Sequence, residues 1–112
     1  MIREAEGTAR LAEVFRARGY NVAREFAFAE GDVTFNIDGW DAGARVGFEF
    51  RTSEAGDKED LTDVELASLA ARMEAGELFI LIVDDTDVAS LDELGGYAER
   101  FLDVVAQRRG GR

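Results

Sequence analysis

Asp32 and Glu49 are the residues of this chain best placed to do chemistry. Each belongs to a strand-like segment, Asp32 in Gly31-Asp32 and Glu49 in Glu49-Phe50-Arg51 seventeen positions later. Val33, Phe35 and Ile37 alternate with polar residues, which leaves Asp32, Thr34, Asn36 and Asp38 on one face. Val46, Phe48 and Phe50 do the same for Arg45, Gly47, Glu49 and Arg51. If the two segments pair antiparallel, the rows lie side by side, and Asp32 falls opposite Glu49 or Arg51 according to register. Two carboxylates on neighbouring strands offer oxygen ligands to a hard cation such as Mg²⁺ or Mn²⁺. Such a metal would activate water and steady a phosphoryl oxygen, with Arg51 stabilising an anionic transition state. The competing reading is an exposed cross-strand ion pair, Asp38 with Arg45 or Asp32 with Arg51.

Composition removes much of the remaining chemistry. The 112 residues include no His, no Cys and no Pro. A disulfide framework, a thiolate zinc site and any Ser-His or Cys-His pair are therefore excluded. Lys and Arg number 13 against 24 Asp and Glu, a net charge of −11. Residues 54–112 carry most of it, with 6 basic and 15 acidic residues. A surface this acidic repels phosphate backbones and attracts basic partners. The same charge also serves solubility or adaptation to salt.

The elements that must position these residues follow from periodicity. Thr8 is the expected N-cap of a first helix with Leu11, Val14 and Phe15 on its buried face and Gly19 as its stop. Strands are expected over 21–29, 33–38 and 45–51, joined by turns at Gly31-Asp32 and from Asp38-Gly39 to Gly43. A charged loop spans 53–60. Thr62 and Glu65 then form a capping box with Leu61 and Leu66 as a hydrophobic staple, and Gly76 closes that helix. The run from Leu78 to Val83 is apolar throughout, which predicts a strand in the interior of the sheet. Ser90 and Glu93 are a second capping box before a last helix carrying Tyr97, Phe101, Val104 and Val105, with Arg108 and Arg109 at its negative end. The expected fold is α/β, a three-layer α/β/α with a mixed sheet in the order α-β-β-β-α-β-α. Residues 1–109 form one globular domain and 110–112 a disordered tail.

This element order, with Gly31-Asp32 and Glu49-Phe50-Arg51, resembles the PD-(D/E)XK, or restriction-endonuclease-like, nuclease superfamily over roughly residues 8–85. Arg18-Gly19-Tyr20-Asn21-Val22 also looks like the first helix-to-strand junction of several such nucleases. The resemblance implies that Asp32 and Glu49 are metal ligands for Mg or Mn and that Arg51 stands at the family's catalytic Lys, with Glu13 as an added ligand. Gly31 replaces the family's Pro and Arg51 its Lys. Arg stays protonated and holds charge but accepts no proton, which marks a degenerate member.

Other residues have plainer readings. Trp40 is expected in the hairpin turn, either anchoring a partner or, preferably, folding back on its own sheet. Asp84-Asp85-Thr86-Asp87 reads as a solvated loop rather than a cation site, and Glu54 to Asp63 as a solvated acidic run that a basic partner would find. Phe48 and Phe50 read as core. The N-terminus is no signal peptide and the longest apolar run is six residues, so the expected protein is cytoplasmic and makes no membrane contact. Two functions follow as expectations. The first is a non-catalytic interaction or regulatory module for a basic protein, such as a toxin or a nucleic-acid-binding protein. The second is a Mg- or Mn-dependent nuclease using Asp32 and Glu49, the only case in which a nucleic acid is expected as partner. A homodimer through the apolar strands or Trp40 is compatible with both.

Overall fold

The first helix, α1, spans Glu4–Ala17. It begins a turn before Thr8, with Arg3 at the N-cap, whose N–H donates to Glu6 Oε1 at 3.3 Å. Thr8 lies inside the helix because its hydroxyl donates back to Glu4 O at 2.9 Å, the alternative use of a Thr side chain. Leu11, Val14 and Phe15 form the buried stripe that the spacing predicts.

The computed structural model describes residues 2–53 and 61–110. Three strands follow α1: β1 (Ala23–Glu30), β2 (Val33–Asp41) and β3 (Val46–Arg51). The helix α2 (Asp63–Glu74), the strand β4 (Phe79–Asp84), a 3₁₀ turn (Asp85–Asp87) and the helix α3 (Leu91–Arg108) complete the expected α-β-β-β-α-β-α order. The capping box of α2 is complete, with Thr62 accepting from the Glu65 N–H and Glu65 from the Thr62 N–H, and the chain turns out at Gly76 with φ of +78°. At α3 only half the box forms: Ser90 accepts from the Glu93 N–H, while Glu93 takes the Ala89 N–H. Gly110 is a turn residue after α3. Residues 111 and 112 of the expected tail, and 54–60 of the charged loop, lie outside the described residues.

The sheet order is β1-β2-β3-β4, with β1–β2 and β2–β3 antiparallel and β3–β4 parallel. Two hydrophobic clusters sandwich it. On one side α1 and α3 cover Val46, Phe48, Phe50, Phe79 and Val83. On the other α2 covers Phe28, Val33, Phe35, Ile37, Trp40 and Ile80. This is the predicted α/β/α layering. Each fully buried Phe, such as Phe15, Phe28, Phe48 or Phe50, contributes roughly 1.5–3 kcal/mol by leaving water.

Two further expectations change. The strand β2 runs on through Asp38, Gly39, Trp40 and Asp41, where a turn was predicted, and the turn falls at Ala42 to Arg45. Trp40 is accordingly a strand residue, buried with Phe28 edge-on to its ring at 5.2 Å. It packs on its own sheet, as preferred, and offers no surface to a dimer. The apolar strand β4 lies at the sheet's edge instead of its interior. Its two faces are apolar because helices cover both, a condition that does not require a neighbouring strand on each side.

Candidate functional site

The register decides which acidic residues meet. The β2–β3 ladder sets Gly39 opposite Phe48, Trp40 opposite Gly47 and Asp41 opposite Val46. Continued by one residue, it places Asp38 opposite Glu49. There the main-chain ladder gives way to side chains. The Asp38 N–H donates to Glu49 Oε1 at 2.9 Å, and the Phe50 N–H donates to Asp38 Oδ2 at 2.8 Å. Asp38 also falls where β1 breaks step: Glu25, in its path across the sheet, has φ of +55° and is missing from the β1–β2 pairing. The inward alternation of β2 shifts phase at the same point, from Val33, Phe35 and Ile37 to Trp40. Such a local disruption lets two carboxylates stand in for ladder carbonyls.

Glu49 faces the α2 side, because Phe48 and Phe50 on either side of it face α1 and α3, and its parallel neighbour Ile82 packs with the α2-side cluster. It is 1% exposed and Asp38 is 5% exposed. Arg51, two residues on, shares that face and is also largely covered. Its Nε lies 3.0 Å from Oδ1 of Asp84, its register neighbour on β4.

Asp32 and Glu49, paired in the sequence reading, are not brought together. Asp32 precedes β2 and lies six residues from Asp38, about 20 Å along an extended strand. It is bound to α2 instead: Ser68 Oγ donates to its Oδ1 at 3.0 Å, and Arg72 Nη2 lies 3.5 Å away. Glu13 is exposed on α1, across the sheet from Glu49, where Arg10 holds it at 2.6 Å. The expected pairs of Asp38 with Arg45 and of Asp32 with Arg51 do not form, since Arg45 takes Glu30 and Arg51 takes Asp84. Sequence reasoning named Asp38 but not its role. The signal available was the interval of eleven residues from Asp38 to Glu49 about a turn, which a two-strand hairpin brings level.

A second polar cluster was not anticipated. Arg45 grips Glu30 with both terminal nitrogens, at 3.0 and 2.8 Å, and Arg72 stands 3.6 Å from the same carboxylate. The Arg45 hydrogen bonds, with its charge and that of Arg72, hold the Glu30 carboxyl below its usual range against the opposing effect of burial. Arg45 itself is held above its ordinary value, chiefly by the same contact. No local pattern announces this pair, which joins the end of β1 to the turn before β3. Glu65 is likewise held low, by the N–H groups of Thr34 and Thr62, and so ties the start of α2 to β2.

Mg²⁺ or Mn²⁺ would need several oxygen ligands turned to one point. Here Asp38 and Glu49 each commit an oxygen to a main-chain N–H, and Asp84 commits one to Arg51. Among the described residues no group of three or more acidic side chains is disposed to hold a metal ion. A metal held there would have to share or displace these contacts. No helix among the described residues is long and apolar enough to cross a membrane. Comparison with family models, with characterised proteins and with solved structures finds no match.

Proposed function

We propose that this chain is a non-catalytic interaction module that binds a basic protein, built on a degenerate version of the PD-(D/E)XK frame. The observation that carries this reading is the inward use of the acid pair. Glu49 and Asp38 are buried, each gives an oxygen to a main-chain N–H of the neighbouring strand, and Arg51 pairs with Asp84. Groups so engaged hold strands together and present nothing to a phosphodiester. What the molecule presents outward is charge, −11 over the chain, which steers a cationic partner and repels a polyanion. The helix-strand order and the parallel β3–β4 pair support the kinship of the frame.

The test is titration of the full chain against an Arg- and Lys-rich peptide and an equally long acidic one, by fluorescence anisotropy across ionic strengths. Binding of the basic peptide that persists at physiological salt and weakens steadily above it is the expected result. Absence of binding there defeats the reading.

One observation favours a second reading, a Mg- or Mn-dependent nuclease: Asp38 stands level with Glu49, with Arg51 on the same face. In that reading Asp38 replaces Asp32 as the partner of Glu49. It requires the acid pair to release the main chain when metal enters. It expects Mg²⁺ or Mn²⁺ to raise the melting temperature, since a ligand of the native state must stabilise it, and DNA or RNA cleavage that is lost in Glu49→Gln. An unchanged melting temperature with either metal removes it.

A further inference from the structure

We propose that a second copy of this chain docks on the open edge of β4, extending the sheet across a two-fold axis and pairing α3 with its mate. Three observations converge there. The first is the edge itself. The strand β4 ends the sheet, and among the described residues no strand pairs with its outer side. In the parallel ladder the N–H of Phe79 points inward, to Arg45 O at 3.0 Å, and that of Ile80 points outward, to Met73 Sδ at 3.4 Å. Ile82 and Asp84 share the parity of Ile80, so their N–H groups point to the same open side. The strand is Phe-Ile-Leu-Ile-Val-Asp, and Leu81 and Ile82 in its middle are only half-buried. An apolar edge of this kind is a template for another strand.

The second observation is the face of α3 above that edge. Glu99 and Asp103 reach Arg18 on α1, at 2.7 and 2.9 Å, so their side of α3 faces α1. At 100° per residue, Tyr97 and Val104 project from the opposite side, beyond β4. They are 38% and 53% exposed and stand seven residues apart, hence on one line, with Arg100 between them stacked on the Tyr97 ring at 5.0 Å. Antiparallel apposition of α3 with its mate about their midpoint sets Tyr97 against the mate's Val104, and the reverse.

The third is charge. Arg108 and Arg109 stack on the Phe79 ring at the start of β4, at 5.4 and 5.1 Å, while the exposed Asp87 lies beyond its other end, past Asp84, which Arg51 holds, and the buried Asp85. Antiparallel pairing of β4 with itself brings the basic end of each copy to the acidic end of the other. A closed two-fold contact demands this self-complementarity, and a parallel contact would set like charges together.

The proposal stands apart from the basic-partner reading, since it uses a different surface and no ligand. It is tested by sedimentation equilibrium of the full chain from micromolar to millimolar concentration. A two-chain mass is expected for the native protein. Val104→Glu, at an exposed site, is expected to give a monomer with unchanged circular dichroism and melting, whereas Val64→Glu on α2 leaves the dimer intact. Asp87→Lys and Arg109→Glu each weaken the dimer at least tenfold, and the double variant regains most of the loss. A native protein that stays monomeric throughout, or a dimer indifferent to Val104→Glu and to both charge reversals, overturns it.

Discussion

The N–H of Asp38 on β2 donates to Oε1 of Glu49 on β3 at 2.9 Å, in a place where a ladder carbonyl would ordinarily accept it. A carboxylate used in this way is a piece of the sheet. Glu49→Gln keeps an oxygen for that donor, and Glu49→Ala does not. The Ala variant leaves a buried N–H without its acceptor, which costs about 1–3 kcal/mol before any cavity is counted. Urea unfolding is expected to rank native above Gln above Ala. An Ala variant as stable as the Gln one shows that the carboxylate does not hold the strand.

Acid should weaken the fold partly through Glu30. Arg45 holds its carboxyl below the ordinary value of 4.5. A carboxyl depressed in the folded state stabilises it above the unfolded value, and that contribution is lost as pH falls through the folded value. Glu30→Gln therefore melts below the native protein at neutral pH, and the gap closes in acid. A gap that is constant from neutral pH into the acid range contradicts the assignment.

Gly47 leaves no room for a side chain. A Cβ there would strike Gly39 O on the neighbouring strand and the Trp40 ring, and it would press on Ile37 Cδ1 at 3.2 Å. Main-chain oxygen cannot swing aside as a side chain does. Gly47→Ala is expected to lose roughly 1–3 kcal/mol or more, the usual cost of overpacking, read as a fall in melting temperature and in urea midpoint.

Arg18 offers a contrast. It bridges α1 to α3 through Glu99 and Asp103 at short distances, yet both carboxylates are exposed. Exposed pairs of this kind contribute about 0.2–1 kcal/mol and fade with salt. Arg18→Ala should therefore destabilise slightly at low ionic strength and scarcely at all at high. A large loss that survives high salt would show that packing of the Arg18 stem, and not its exposed ion pairs, joins the two helices.

The sequence alone determined what depends on neighbours along the chain. The order and type of elements, the Thr62–Glu65 capping box, and the burial of Phe48 and Phe50 all follow from short-range period and end signals. The start of α1 falls a turn before Thr8, because a Thr hydroxyl can cap a helix or bond back within one, and the residue type does not distinguish them. Tertiary structure decided what depends on register. Whether Asp32 or Asp38 stands level with Glu49 turns on how two strands slide, and the polar alternation from Asp32 to Asp38 offers a carboxylate at both ends. The same holds for the partners of Arg45 and Arg51, which come from β1 and β4. Trp40 lies in a segment that reads locally as a turn. It becomes strand because Ala23 pairs with it on one side and Gly47, with no side chain of its own, leaves its ring a place on the other. Local signals name the pieces, but the packing of a second strand, distant in sequence, fixes which acid faces inward and which edge is left open.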